Sequence, residues 1–239
     1  TRIFRTDALG YFARNGAPHM APANGDWLAV ADVGCSTGDQ TWGFAAALAA
    51  QEVDFRIDAF DNNVERLAQA TQPLQMSMGS LAASRYRHPA YPEACLAEFE
   101  DGGCYVRPSR RLRERVDFQY RNIVTDPLPP KPYDVVVVTN VLYHYLTYPQ
   151  KLEAIIGNIA AGLRPGAVVI HDGYLSEGID ERLRDRHLYP SAIAGIACAN
   201  SVFVYEPQRP TEGLRGSLLD LRDKTLLAAS KSHLFNRDR

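Results

Sequence analysis

Apolar and polar positions along this chain fall into two alternating rhythms. Residues 27–33, WLAVADV, form a short apolar run closed by Gly34, the pattern of a strand entering a turn. The alanine-rich stretch 41–51 then predicts a helix packed on a sheet. FRIDAFD at 55–61 predicts a second strand, and NVERLAQAT at 63–71 the helix after it. After an interruption, RVDFQYRNI at 115–123 alternates as a strand. The β-branched run 135–138 has the continuous apolar character of a strand buried on both faces of a parallel sheet. KLEAIIGNIAAGLRPGAVVIHDG reads as helix, Arg-Pro-Gly turn and strand, with Pro165 and Gly166 stopping the helix. NSVFVYEP, near 200–207, supplies a last strand.

Outside this core, residues 1–20 have loosely helical spacing, with Phe4, Leu9 and Phe12 as anchors. Residues 213–230 space Leu214, Leu218, Leu221, Thr225 and Leu226 as on an amphipathic helix. Pro73, Pro89, Pro92, Gly102 and Gly103 break the rhythm and mark an insertion at about 73–112. The organisation expected is a leading segment at 1–20, an α/β domain at 21–207 and a helical tail at 208–239. Alternating strands and helices imply right-handed crossovers and a doubly wound, mainly parallel, Rossmann-like sheet. Ligands of such sheets bind at the carboxyl ends of the strands. Gly34, Asp61 and Asn140 stand at three of those ends.

Composition narrows the function classes. The net charge of -2 over 239 residues, with a pI near 6.3, gives no footprint for nucleic acid or an anionic membrane. No apolar run reaches the roughly 18–20 residues of a membrane span, and no secretory apolar region opens the chain. A cytoplasmic setting is therefore expected. With Thr1 rather than methionine at the start, lost upstream residues are an expectation of the sequence. Cys35, Cys95, Cys104 and Cys198 form no C-x-x-C pair, and the six histidines no H-x-x-x-H pattern, so neither a metal site nor a disulfide framework is expected.

The turn GCSTGD, 34–39, satisfies two patterns. As G-x-S-x-G it matches the nucleophile elbow of a serine hydrolase, with Ser36 attacking. That reading needs an oxyanion loop from earlier in the sheet, yet Ser36 follows the first recognisable strand. As a cofactor loop the turn needs less: Gly34 and Gly38 let the backbone approach a ligand without a Cβ in the way. Asp61 can accept hydrogen bonds from a ribose diol, as acids ending the second strand do in dinucleotide folds. Asp39, opening the next helix, repels a pyrophosphate and suits a cationic ligand. The ligand indicated is S-adenosylmethionine (SAM).

GCSTGD, AFDNNVERLAQA, CYVRPSRRLRERVDFQYRNI, YDVVVVTNVLYHYL and LRPGAVVIHDG resemble, in order, the blocks of the CheR-type methyltransferases, and TRIFR is similar to the family's T-x-F-F-R segment. The similarity runs from Thr1 to about Glu206. It implies a class I methyltransferase using SAM, with residues 1–20 lying over the cofactor. Thr1 and Arg5 would stand near its methionyl end, Asp39 at its amino group, and Asp61 with Asn62 at the ribose. Asn122 and Ile123 would lie by the adenine, and Thr139 and Asn140 would line the pocket with Gly34, Ser36 and Gly38. The helical domain that usually precedes T-x-F-F-R is not among these residues.

On the acceptor side the sequence departs from the family. Thr139 replaces an arginine and His144 replaces a tyrosine implicated near the transferred methyl. The acceptor implied is a carboxylate or hydroxyl oxygen of a protein side chain or a small metabolite. His144 and Tyr145 are the candidate catalytic residues, since an imidazole, titrating at about pH 6.5, can take a proton from a hydroxyl. The alternative role for His144 is packing between Tyr143 and Tyr145. Tyr143, Tyr145 and Tyr148 would be an aromatic wall or simply core. Arg107, Arg110, Arg111, Arg113 and Arg115 would bind an acidic substrate or form a solvated face paired with Glu114 and Asp117. His171 and Asp172 are further candidates for substrate contact. Two other functions fit the same residues: a SAM-binding regulatory module without turnover, and the Ser36 hydrolase.

Overall fold

The computed structural model describes residues 7–22, 25–171, 177–190 and 202–208. Thr1, Phe4, Arg5, Asp172 and the helix expected at 213–230 lie outside them. In chain order the elements are α1 (Asp7–Asn15), β1 (Leu28–Val33), α2 (Asp39–Ala49), β2 (Phe55–Asp61), α3 (Val64–Ala70) and α4 (Met78–Tyr86). A hairpin of β3 (Phe99–Asp101) and β4 (Val106–Pro108) follows, then α5 (Arg110–Arg113), β5 (Val116–Tyr120) and β6 (Tyr133–Val138). The chain continues through α6 (Pro149–Ala160), β7 (Leu163–His171), α7 (Glu177–Asp185), β8 (Leu188–Pro190) and β9 (Val202–Tyr205).

Seven strands form one sheet in the order β5-β2-β1-β6-β7-β9-β8. The pairs from β5 across to β7 are parallel, and β9 is antiparallel to both its neighbours. This is the doubly wound, mainly parallel sheet of a class I methyltransferase. The strand order reverses at β1, between β2 and β6, so the switch-point crevice opens at the carboxyl ends of β1 and β6.

The alternation of side chains in the central strands explains the layers. Val30, Ile57, Val135, Val137 and Ile170 face one way and pack with Leu9 and Phe12 of α1 and Phe44 and Leu48 of α2. Ala31, Val33, Val136, Val138 and Val169 face the other way, against Leu152, Ile155 and Ile159 of α6 and Ile179 and Leu183 of α7. All six residues of β6 are buried, as a two-sided strand requires. The inserted segment is part of this core: Leu81, Tyr91, Cys95, Phe99 and Val106 share the cluster of α1 and α2.

Two expectations are corrected. Arg164-Pro165-Gly166 is not the turn after α6. The helix stops at Ala160, and the close turn is at Gly162, where an added Cβ would come within 2.7 Å of Leu128 Cβ. Arg164, Pro165 and Gly166 lie inside β7 as a bulge, for the register steps from Tyr133↔Leu163 to Val135↔Val168. Arg164 is held there by the buried carboxylate of Asp134, whose other oxygen accepts from Ala29 N–H at 2.8 Å. The arginine run is ion-paired, but its partners are mostly distant in sequence. Arg110 pairs with Glu114 at 2.6 Å, Arg111 with Glu98, Arg113 with Glu100 and Arg115 with Asp54, whereas Asp117 accepts from Gln119.

Candidate functional site

The chain turns from β1 to α2 by a tight loop in which the amide hydrogens of Gly34, Cys35, Ser36 and Gly38 are already paired. Gly34 and Cys35 both donate to the carbonyl of Phe60, at 2.8 and 3.0 Å, and Ser36 N–H donates to Asp61 Oδ2 at 2.8 Å. Gly38 N–H donates back to Cys35 at 2.9 Å. The loop is therefore not the amide cradle of a phosphate site. Its backbone is fastened to the tip of β2, with Asp61 as the clasp, since Asp61 Oδ1 also accepts from Asn63 N–H at 2.9 Å. A carboxylate oxygen accepts more than one hydrogen bond, so Asp61 retains capacity for a diol.

The two glycines have separate tasks. Gly34 has φ +77°, and a Cβ there would fall 2.3 Å from Val141 Cγ2, in the crevice between β1 and β6. Gly38, at φ +73°, is backed by Phe118 and Ala70, both within 3 Å of an added Cβ. Trp42 seals this back side, with its ring edge-on to Phe118 and its Nε1–H donating to Ala70 at 3.0 Å. Ser36 and Asn140 adopt left-handed φ of 53° and 57°. Two non-glycine residues in that region at facing strand ends mark a backbone held in place by its surroundings.

A cavity of about 690 Å³ opens at this point. Of the residues expected from the sequence, Gly34, Ser36, Asp39, Asp61, Asn62, Asn122, Ile123, Thr139, Asn140, His144 and Tyr145 all line it. Gly38 is not among the lining residues, because it faces the core. Thr1 and Arg5 lie outside the described residues. His171 is fully buried against the Phe203 ring, 5.2 Å between centroids, and is not among the lining residues, so it is a core residue rather than a substrate contact. Of the three tyrosines only Tyr145 lines the cavity. Tyr143 and Tyr148 are more than half exposed, which removes both from the core. Tyr143 packs edge-on to the His144 ring at 5.9 Å, and the turn Leu142–Tyr145 presents that ring at the rim.

Sequence reading missed several lining residues. Asp32 is 4% exposed and accepts from Thr41 Oγ1–H at 2.5 Å. Burial, only partly offset by that hydrogen bond, raises its pKa from 3.8 to about 6, and the nearby Asp61 adds to the rise. An acid inside an apolar strand was a visible signal. Gln40 and Thr139, both buried, join the start of α2 to the end of β6, with Gln40 Nε2 2.7 Å and Oε1 3.0 Å from Thr139 Oγ1. Arg66 donates to Ser36 Oγ at 2.6 Å, and Arg121 lies over the Phe60 ring at 5.3 Å. No local pattern announces these last contacts. The partner of the Ser36 hydroxyl is a guanidinium, which stays charged and cannot act as its base; that speaks against the elbow reading.

The cavity carries carboxylates at the ends of β1 and β2 and the start of α2, and a turn that excludes any side chain at Gly34. The family model described as "CheR methyltransferase, SAM binding domain" matches residues 1–187. The chain belongs to the CheR methyltransferase family. Its cofactor is SAM, and the residues present fit that group. Asp61 is clasped at the tip of β2 with capacity left for a diol, Asp32 and Asp39 add carboxylates suited to a cation in the same cavity, and the Gly34 cradle would be filled by any Cβ. Solved structures are similar to the chain at low identity. A TehB-like SAM-dependent methyltransferase from Corynebacterium glutamicum is 13% identical, with 82% of this chain and 84% of that one covered and a TM-score of 0.45. The [4+2]-cyclase SpnF is 18% identical, over 77% of this chain and 57% of its own, with a TM-score of 0.45. SAM-bound CalS10, an amino pentose methyltransferase from Micromonospora echinaspora, is 18% identical over 73% and 54%, with a TM-score of 0.41. The chain thus spans little more than half the length of SpnF and CalS10. No curated protein matches the sequence. Among the described residues there is no metal-binding cluster and no helix long and apolar enough to cross a membrane.

Proposed function

We propose that the protein is an active methyltransferase that places the methyl group of SAM on a carboxylate or hydroxyl oxygen of a small metabolite or protein side chain. The observation that carries this reading is that one cavity holds both halves of such a site. Asp61, Asp39 and the Gly34 turn stand on the donor side, and His144 with Tyr145 stands on the β6 side. When bound, SAM supplies a methyl group on a positively charged sulfur, ready for in-line displacement.

The chain's own residues supply position and proton transfer. Asp61 and Asn62 would hold the ribose edge, Asn122 and Ile123 would flank the adenine, and Asp39 would meet the amino group. Ile123 is fixed for that task because Asn158 Nδ2 donates to its carbonyl at 2.8 Å. Thr139 and Asn140 border the reacting end. Orientation of donor and acceptor supplies much of the acceleration in such a site. A carboxylate acceptor has no proton to lose. A hydroxyl acceptor does, and an imidazole nitrogen of His144, held by Tyr143, takes it. The free thiols of Cys35, Cys95 and Cys104 support a reducing, cytoplasmic setting.

The test uses SAM labelled in the methyl group, incubated with the full chain and panels of hydroxylated, carboxylated and amine acceptors. Label that leaves as methanol in mild alkali identifies a carboxyl ester, and alkali-stable label on an acceptor whose only nucleophile is a hydroxyl identifies an ether. The reading predicts transfer to one oxygen class and, if that class is hydroxyl, a loss of about 10²–10⁴-fold in His144→Ala, the size of a general-base contribution. SAM binding without transfer to any acceptor, protein extracts included, would favour a regulatory module instead.

A further inference from the structure

Asp32 is the most deeply buried ionisable side chain lining the cavity, and the reading above gives it no task. It sits near the carboxyl end of β1, one residue before Val33 and the Gly34 turn, and its side chain accepts from a neutral hydroxyl, Thr41 Oγ1–H at 2.5 Å. Two more carboxylates, Asp39 and Asp61, line the same cavity. Carboxylates brought together in a partly enclosed space disfavour each other's ionisation, and a cation placed among them reverses that preference. Resting on the SAM reading, we propose that Asp32 takes up a proton as the empty cavity is acidified and gives that proton to solvent when the sulfonium donor binds. It thereby distinguishes the charged donor from the uncharged thioether product.

The charged and titratable groups around it are few. Strand β2 contributes Asp61, and α2 contributes Asp39 beside the neutral Gln40 and Thr41. Strand β6 offers only the neutral Thr139 from its tip, and the following turn offers His144 and Tyr145. Cys35 of the loop stays a thiol, because burial and the two acids Asp32 and Asp61 push its pKa far up. The cations Arg66 and Arg121 are committed elsewhere, to Ser36 Oγ and to the Pro127 carbonyl. Burial moves Asp32 into the range near pH 6, so its proton is exchanged under ordinary conditions. The sign follows. The folded, unliganded protein binds this proton more tightly than the unfolded chain, so its stability falls as pH rises from about 4 to about 6. Cation affinity moves the opposite way and rises over the same window.

The experiment is a calorimetric titration of the protein with SAM, and separately with S-adenosylhomocysteine, between pH 5 and 7. It is repeated at pH 6 in buffers of different ionisation enthalpy. One linked proton with a pKa of about 6 weakens SAM binding about tenfold at pH 5 relative to pH 7 and releases about half a proton per SAM at pH 6. S-adenosylhomocysteine should change by less than about threefold, since only the sulfonium charge differs. Asp32→Asn should flatten the SAM profile. Thr41→Val removes the hydrogen bond that favours the carboxylate and should shift the midpoint to higher pH, which covers the case of a poorly folding Asp32 variant. SAM binding with no pH dependence and no buffer-dependent heat would overturn the inference and leave the cofactor reading intact, as would a slope that survives in Asp32→Asn. Failure of SAM to bind at any pH would overturn both.

Discussion

At the scale of single residues, the G-x-S-x-G coincidence is resolved by where each atom goes. Ser36 contributes a backbone N–H to Asp61 and a hydroxyl to Arg66, and its left-handed φ is tolerated because both contacts hold it. Gly34 contributes the absence of a side chain. Alanine at Gly34 must adopt an unfavourable φ, which costs more than about 1 kcal/mol, and must displace Val141 from the cavity wall. Gly34→Ala should therefore weaken SAM binding by about tenfold or more and lower the melting temperature, while Ser36→Ala keeps most of the affinity. Binding titrations on the two variants check this, and the reverse order would restore a direct role for the serine hydroxyl. The sequence shows that a small residue is needed at Gly34 and Gly38. It does not show that one faces the cavity and the other the core, because that depends on Val141 and Phe118 arriving from strands far along the chain.

Elements were legible where hydrophobic period and punctuation agree. The predicted span 55–61 coincides with β2, and those for β1, α2, α3 and β9 lie within a few residues of their observed ends, since a buried strand or helix face leaves little choice of residues. Legibility failed at two places for physical reasons. Arg164-Pro165-Gly166 looked like a helix stop, but a bulge absorbs it within β7, stabilised by the Asp134–Arg164 pair that sequence alone does not reveal. The short β8, Leu188–Pro190, has no period of its own and exists because β9 offers it a partner. α1 shows how an element outside the regular alternation is held. Phe12 is fully buried and packs on Phe44 of α2, while Arg14 donates to the carbonyls of Pro89 and Ala90. Phe12→Ala should destabilise the fold by about 3–5 kcal/mol, readable as a lowered midpoint in urea unfolding. A change below about 1 kcal/mol would mean that α1 is not part of the cooperative core.

At the scale of the molecule, the reversal of strand order at β1 does the organising. It parts the connections leaving β1 and β6, opens the crevice, and brings carboxylates from β1, α2 and β2 to face the neutral end of β6 and the His144 turn. Donor chemistry was largely legible in the sequence because it sits on consecutive strand ends. The acceptor side was less so, because it is assembled from a short turn whose exposure no pattern encodes. The central claim is that this crevice binds a cationic methyl donor, and titration calorimetry of the wild-type chain and Asp39→Ala with SAM tests it most directly. The account predicts one SAM bound per wild-type chain and loss of most of that affinity in Asp39→Ala. Absence of binding to the wild type, or full affinity in the variant, would contradict it.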